Sequence, residues 1–170
     1  AFTALKERGW RGIVLRGKSN TLEHIIVEKA HTAISLFNKA EAEVRHSLLE
    51  GDVSEDGERI MSEIGIRAQQ NAKATFTHAA VKGFQRGVMS ENTEELIVKH
   101  TVIRDNETGV RIEGDGYAGT GCGTQDNFDT YRDPVFHHTD IFGNERGILI
   151  RGSNIFVQVE KSNIINNERF

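Results

Sequence analysis

The stretch Val98-Lys99-His100-Thr101-Val102-Ile103-Arg104-Asp105-Asn106-Glu107-Thr108-Gly109-Val110-Arg111-Ile112 decides the fold of this 170-residue chain. Its apolar residues recur two apart, as at Val110 and Ile112, the period of a short strand with one buried face. Working outward from His100, the same pattern returns along the whole chain. His24, His46, His78, His100 and His138, five of the seven histidines, fall in one column, and Lys161 takes that place in a sixth copy. Two residues before each stands Leu22, Val44, Phe76, Val98, Phe136 or Val159, and three after stands Val27, Leu49, Val81, Ile103, Ile141 or Ile164. One residue after lies Ile25, Ser47, Ala79, Thr101, Thr139 or Ser162. The steps between column members are 22, 32, 22, 38 and 23 residues. That is a short basic period with two insertions, as expected of a solenoid.

A second signal accompanies the first. A small residue followed by alternating apolar positions recurs at Gly12-Ile13, Ala33-Ile34, Gly65-Ile66, Gly87-Val88, Gly109-Val110 and Gly147-Ile148. Each marks a further strand with one buried face. Asn106, Asn144, Asn166 and Asn167 suit the corners, because asparagine tolerates left-handed backbone angles. Helical readings fail, since the apolar spacing is two outside a few short segments. Three short strands per turn, each stacked on its equivalent in the next, make an all-β parallel solenoid of about six coils.

The Val98–Ile112 pattern resembles the repeat of right-handed parallel β-helix proteins, the pectate-lyase-like superfamily. The copy from Phe136 to Ile150 is equally similar, and Asn163 to Asn167 begins another. Gly9-Trp10-Arg11-Gly12-Ile13 resembles the first coil of many bacterial surface β-helix proteins. The resemblance covers nearly the whole chain and implies a fold, not a chemistry, because this fold hosts lyases, hydrolases, epimerases and inert scaffolds.

The length suits one domain with a single core, spanning residues 1-170. A net charge of −4 and a pI near 6 leave no basic footprint for nucleic acid. No apolar run is long enough to span a membrane. The single cysteine, Cys122, rules out an intrachain disulfide framework and a multi-cysteine metal site. Both ends look cut, with Ala1 to Leu5 and Ile164 to Phe170 as open strand edges. The expectation is a fragment of a longer solenoid, or a unit that associates end to end.

The insertions fall near 51-63 and 113-134, one before and one after a strand of the glycine-isoleucine sheet. Loops carry binding groups that the scaffold positions. Outward positions of that sheet form one row of Val14, Ser35, Arg67, Met89, Arg111 and Leu149, and a second of Arg16, Phe37, Gln69, Glu91, Glu113 and Arg151. Arginines and carboxylates on a flat face, with Tyr117 and Tyr131 in the nearby loop, can grip an acidic sugar chain. A solvated face laced with cross-strand ion pairs is the plainer reading.

Other candidates are weaker. Stacked histidines about 4.8 Å apart are too linear for tetrahedral metal coordination, so the column reads as a structural ladder at a bend. Crowded imidazoles oppose one another's charging, so lowered proton affinity and acid lability are expected. Gly114-Asp115-Gly116-Tyr117-Ala118-Gly119 formally matches a dinucleotide fingerprint, but no helix follows to hold phosphates. Asp115, Asp126, Asp129 and Asp133 are calcium candidates without EF-hand spacing. Cys122 lacks a base placed by sequence; His137 and His138 are the nearest histidines along the chain. Asn106-Glu107-Thr108 is a formal glycosylation sequon.

Polysaccharide lyases of the superfamily pair calcium-bound carboxylates with an arginine or lysine base. The resemblance therefore implies Arg111, Glu91 and Glu113 as a catalytic set in an enzymatic alternative acting on acidic polysaccharide. The leading expectation is a non-catalytic segment of a larger extracellular or cell-surface protein, presenting Arg67, Arg111, Glu91, Glu113, Tyr117 and Tyr131 to glycan or protein.

Overall fold

The computed structural model describes residues 10–52, 62–114, 133–152 and 155–169. Each coil adds one strand to each of three six-stranded sheets. The first sheet comprises Ile13–Leu15, Thr32–Leu36, Ile64–Gln69, Arg86–Glu91, Thr108–Glu113 and Arg146–Arg151. Asn20–Glu23, Glu41–Arg45, Lys73–Thr77, Glu95–Lys99, Val135–His137 and Gln158–Glu160 form the second. The third is made of Ile26–Glu28, Leu48–Glu50, Ala80–Lys82, Val102–Arg104, Asp140–Phe142 and Asn163–Ile165. Neighbouring strands are parallel throughout, and their register matches the sequence columns: Val88 pairs with Ile66 and Val110, Val98 with Phe76 and Phe136, Ile103 with Val81 and Ile141. The described residues contain no helix long and apolar enough to cross a membrane.

The three apolar columns meet inside the prism. Ile34, Ile66, Val88 and Val110 are fully buried, as are Val44, Phe76, Val98 and Phe136, and Val27, Leu49, Val81, Ile103 and Ile141. Burying each such side chain contributes roughly 1.5–3 kcal/mol before conformational entropy is counted. The columns open toward both ends: Ile13, Leu22, Ile148 and Ile164 are only partly buried, and Val159 is exposed.

All three corners use left-handed backbone, with Asn38, Asn71 and Asn92 among the residues that adopt it between first and second sheets, but the asparagines between third and first sheets mostly play a different part. At the corner between third and first sheets the positive φ falls on Lys29, Gly83, Asp105, Gly143 and Asn166. Asn106, Asn144 and Asn167 follow the left-handed residue and turn inward, buried, as a hydrogen-bonded ladder. Asn106 Nδ2 donates to Asn144 Oδ1 at 3.0 Å, and Asn144 Nδ2 donates to Asn167 Oδ1 at 3.0 Å. The same oxygens accept backbone N–H groups: Phe84 N donates to Asn106 Oδ1, and Asn106 N to Asn144 Oδ1. A buried corner leaves main-chain donors off the sheet ladders, and a side-chain amide is what can satisfy them. Burial and its hydrogen bonds leave the Asn106 amide nitrogen no room for a glycan in the folded protein.

The repeated glycine serves close packing. A β-carbon at Gly109 would stand 2.7 Å from the Gly147 carbonyl oxygen and 3.0 Å from Asn144 Nδ2. Gly87 is equally hemmed in, by the Gly109 carbonyl oxygen and Asn106 Nδ2. Gly109→Ala should therefore destabilise the protein by about 1–3 kcal/mol through overpacking, despite alanine's better strand entropy. Urea unfolding measures this, and an unchanged or raised midpoint would show that the coils have room to part.

Candidate functional site

Alternation along the first sheet sends Ile66, Val88 and Val110 inward and Arg67, Met89 and Arg111 outward, in one row across three coils. Gln69, Glu91 and Glu113 make the adjacent row, continued by Arg151. This outward face is not the open flat surface that alternation alone implies. Ser35, Gln69 and Met89 are buried, at 5%, 8% and 7% exposure. Strand alternation fixes where a side chain points, but its exposure depends on how far its neighbours reach.

Polar groups on this face are joined both between coils and within a strand. Gln69 Nε2 donates to Glu91 Oε2, and Arg111 Nη2 donates to Glu113 Oε1. Arg151 approaches the same Glu113 oxygen at 3.9 Å. Arg67 lies over the Phe37 ring, 6.0 Å from its centroid, a cation–π geometry. Two donors stand out against this pairing: Arg67 Nε and Arg111 Nε are buried and have no hydrogen-bond acceptor among the described residues. Leaving a buried N–H unmatched costs roughly 1–3 kcal/mol, more when the group is charged.

The histidine column lies at the corner between second and third sheets. All five column histidines have φ between 49° and 54°, and Lys161 has 48°. Left-handed backbone turns each ring onto the outer edge, where rings of successive coils stack. Centroid separations are 5.1 Å for His24–His46 and 4.9 Å for His46–His78, His78–His100 and His100–His138, with planes 10° to 19° apart. Just inside the rings, Ser47, Thr101 and Thr139 are buried; Ser162, partly buried in the last coil, donates to the Glu160 carbonyl and accepts from Thr139 N. The linear column thus behaves as a ladder.

One further ring departs from it. His137 ends the strand Val135–His137 and stands edge-on to both His138 and His100, at 81° and 87°. Sequence columns did not single it out, because the repeat places Thr77, Lys99 and Glu160 at its position. The His137-His138 doublet was the available signal.

Among the other sequence candidates, Asp133 is partly buried just ahead of Val135–His137. Tyr117, Tyr131, Asp115, Asp126, Asp129 and Cys122 lie outside the described residues, as does the glycine-rich stretch beyond Gly114. The family comparison agrees with this architecture: a right-handed β-helix region matches residues 11–170, and the chain belongs to that family, as a right-handed parallel β-helix. No curated protein matches the chain closely enough to lend it an activity.

Two ladder imidazoles have lowered proton affinity. Desolvation leads for His100, reinforced by His138, His78 and Lys99; for His138 it leads again, followed by His137 and Lys161. Because their folded pKa values lie below the unfolded one, near 6.5, the unfolded chain binds more protons as pH falls through that value. The stability they contribute is full above about pH 6.5 and lost as the pH drops toward the folded values. In the presence of chelator, Tm should therefore fall between about pH 7.5 and 5, and His100→Asn with His138→Asn should flatten that slope. Asparagine keeps the left-handed backbone affordable, so a slope unchanged in the double variant would assign the acid sensitivity elsewhere.

Proposed function

We propose that this chain is a non-catalytic β-helix segment of a larger extracellular or cell-surface protein, and that the outward face of its first sheet binds acidic glycan. The observation that carries the reading is the pair of unmatched Nε donors on Arg67 and Arg111. An arginine meets a carboxylate most strongly side-on, through Nε–H and one Nη–H together. A long side chain can swing that edge outward onto a ligand, which would supply the acceptor each now lacks. The two arginines are two coils apart, roughly 10 Å at sheet spacing, so one extended polyanion along the axis can engage both. Phe37, partly exposed on the same face, offers apolar surface for a sugar ring.

The enzymatic alternative, a polysaccharide lyase using Arg111 with Glu91 and Glu113, needs carboxylates free to hold calcium and an arginine free to act. Here Glu91 is engaged by Gln69, and Glu113 by Arg111. That pairing favours a binding face over a reaction centre. A protein partner is the remaining occupant of the same surface.

A panel of uronic-acid and sulfated polysaccharides, titrated against the chain by calorimetry, tests the proposal. Binding to at least one acidic member is expected, and Arg67→Ala and Arg111→Ala should each weaken it by about 10- to 100-fold, as loss of a charge-assisted hydrogen bond implies. No binding across the panel would remove the glycan reading. Unsaturated products whose release disappears in Arg111→Ala would replace it with the lyase.

A further inference from the structure

The fifth coil puts two histidines side by side at the corner, and the result is a three-imidazole cluster. His100 and His138 stack face to face, so their nitrogens lie in parallel planes and do not converge. His137 comes in perpendicular to both and supplies the convergence that the rest of the ladder lacks. One coordinating nitrogen from each of the three lies within 4.8 Å of the others, and Nδ1 of His137 is 2.9 Å from Nδ1 of His138. On the far side of the His137 ring, Nε2 is 3.9 Å from Glu160 Oε2.

We propose that His100, His137 and His138 form a binding site for a divalent transition-metal ion of the zinc class, with Glu160 as the positioning residue for His137. Imidazole donors without thiolate or a carboxylate cage select zinc, nickel or copper over calcium and magnesium. Tetrahedral coordination with bonds of 2.0–2.1 Å sets ligand nitrogens about 3.3 Å apart. The His137–His138 pair needs to open by only a few tenths of an ångström, and the third nitrogen needs to close by at most about 1.5 Å. His100 and His138 are exposed, so their rings have room to make that adjustment.

Proton bookkeeping favours the same arrangement. In the metal-free protein the 2.9 Å contact is a hydrogen bond, in which one ring donates Nδ1–H to the lone pair of the other. An ion between them needs both lone pairs, so the donating ring must carry its proton on Nε2 instead. For His137 that nitrogen lies 3.9 Å from the Glu160 carboxylate, which on closing by about 1 Å would accept the N–H and fix the coordinating tautomer, as carboxylates behind metal-bound histidines commonly do. The tautomer shift leaves the net charge of the ring unchanged. Lys99 and Lys161 bring positive charge near the site, and Glu160 is the carboxylate that offsets it.

The experiment uses tag-free, chelator-treated protein titrated with zinc sulfate by calorimetry. One equivalent should bind. His137→Phe, which keeps a ring and removes both nitrogens, should weaken binding more than about tenfold; Glu160→Gln should weaken it about tenfold through loss of orientation. His46→Asn, elsewhere on the ladder, should leave binding unchanged. Ring-nitrogen NMR of the unmodified protein provides an independent reading should His137→Phe fail to fold: zinc should move the His100, His137 and His138 resonances and leave His24 and His46 in place. Absence of binding would overturn the proposal. So would binding that survives His137→Phe, or zinc shifts spread evenly along the ladder.

Discussion

Every feature of this molecule answers to one constraint: each residue's neighbour along the axis is its own equivalent in the next coil. Parallel pairing in register sets equivalent side chains roughly 4.8 Å apart, so a residue must be compatible with a stack of its own kind. Valine, isoleucine and phenylalanine meet that condition inside the prism by close packing. Asparagine meets it at the buried corner, since an amide both donates to the next copy and accepts from the previous one, as in Asn106, Asn144 and Asn167. Histidine meets it at the outer corner by ring stacking. Charged residues meet it in part by pairing with the opposite sign, as Lys82 does with Glu50 on the adjacent coil, while Glu28 with Glu50 and Glu91 with Glu113 leave like charges in register.

The chemistry worth testing lies where the stacking rule is broken. Arg67 and Arg111 are separated by Met89, which keeps like charges from sitting on adjacent coils and leaves each guanidinium with an unmatched edge. His137 interrupts a position held elsewhere by Thr77, Lys99 and Glu160, and turns a row of parallel rings into a converging set. In a repeat whose regular positions are taken up with holding the coils together, irregular positions are the ones free to acquire another use.

How far the sequence could be read follows from the same distinction. The His24–His138 column and the apolar columns beside it were legible because they recur, and their register is the observed one. The role of Asn106 and Asn144 was legible only in part: recurrence marked the corner, but one residue separates the left-handed position from the inward one, and local propensity does not resolve that step. Burial of Ser35, Gln69 and Met89 was not legible, because it depends on the reach of neighbouring side chains rather than on strand parity. His137 escaped for a related reason, since the angle at which a ring approaches its neighbours is a property of rotamers, not of spacing.

In this architecture the chain winds around the axis while its hydrogen bonds run along it, and that geometry governs how the molecule bears load. Tension applied between its ends acts on coil-to-coil ladders one at a time, with little sharing between distant coils. A coil occupying about 4.8 Å of axial length releases roughly 75 Å of chain when 22 residues straighten. The two longer coils, with 32 and 38 residues to the next histidine, would release more. As a tether, the protein yields in successive lengths graded by coil size, and its extension under force records where the insertions lie.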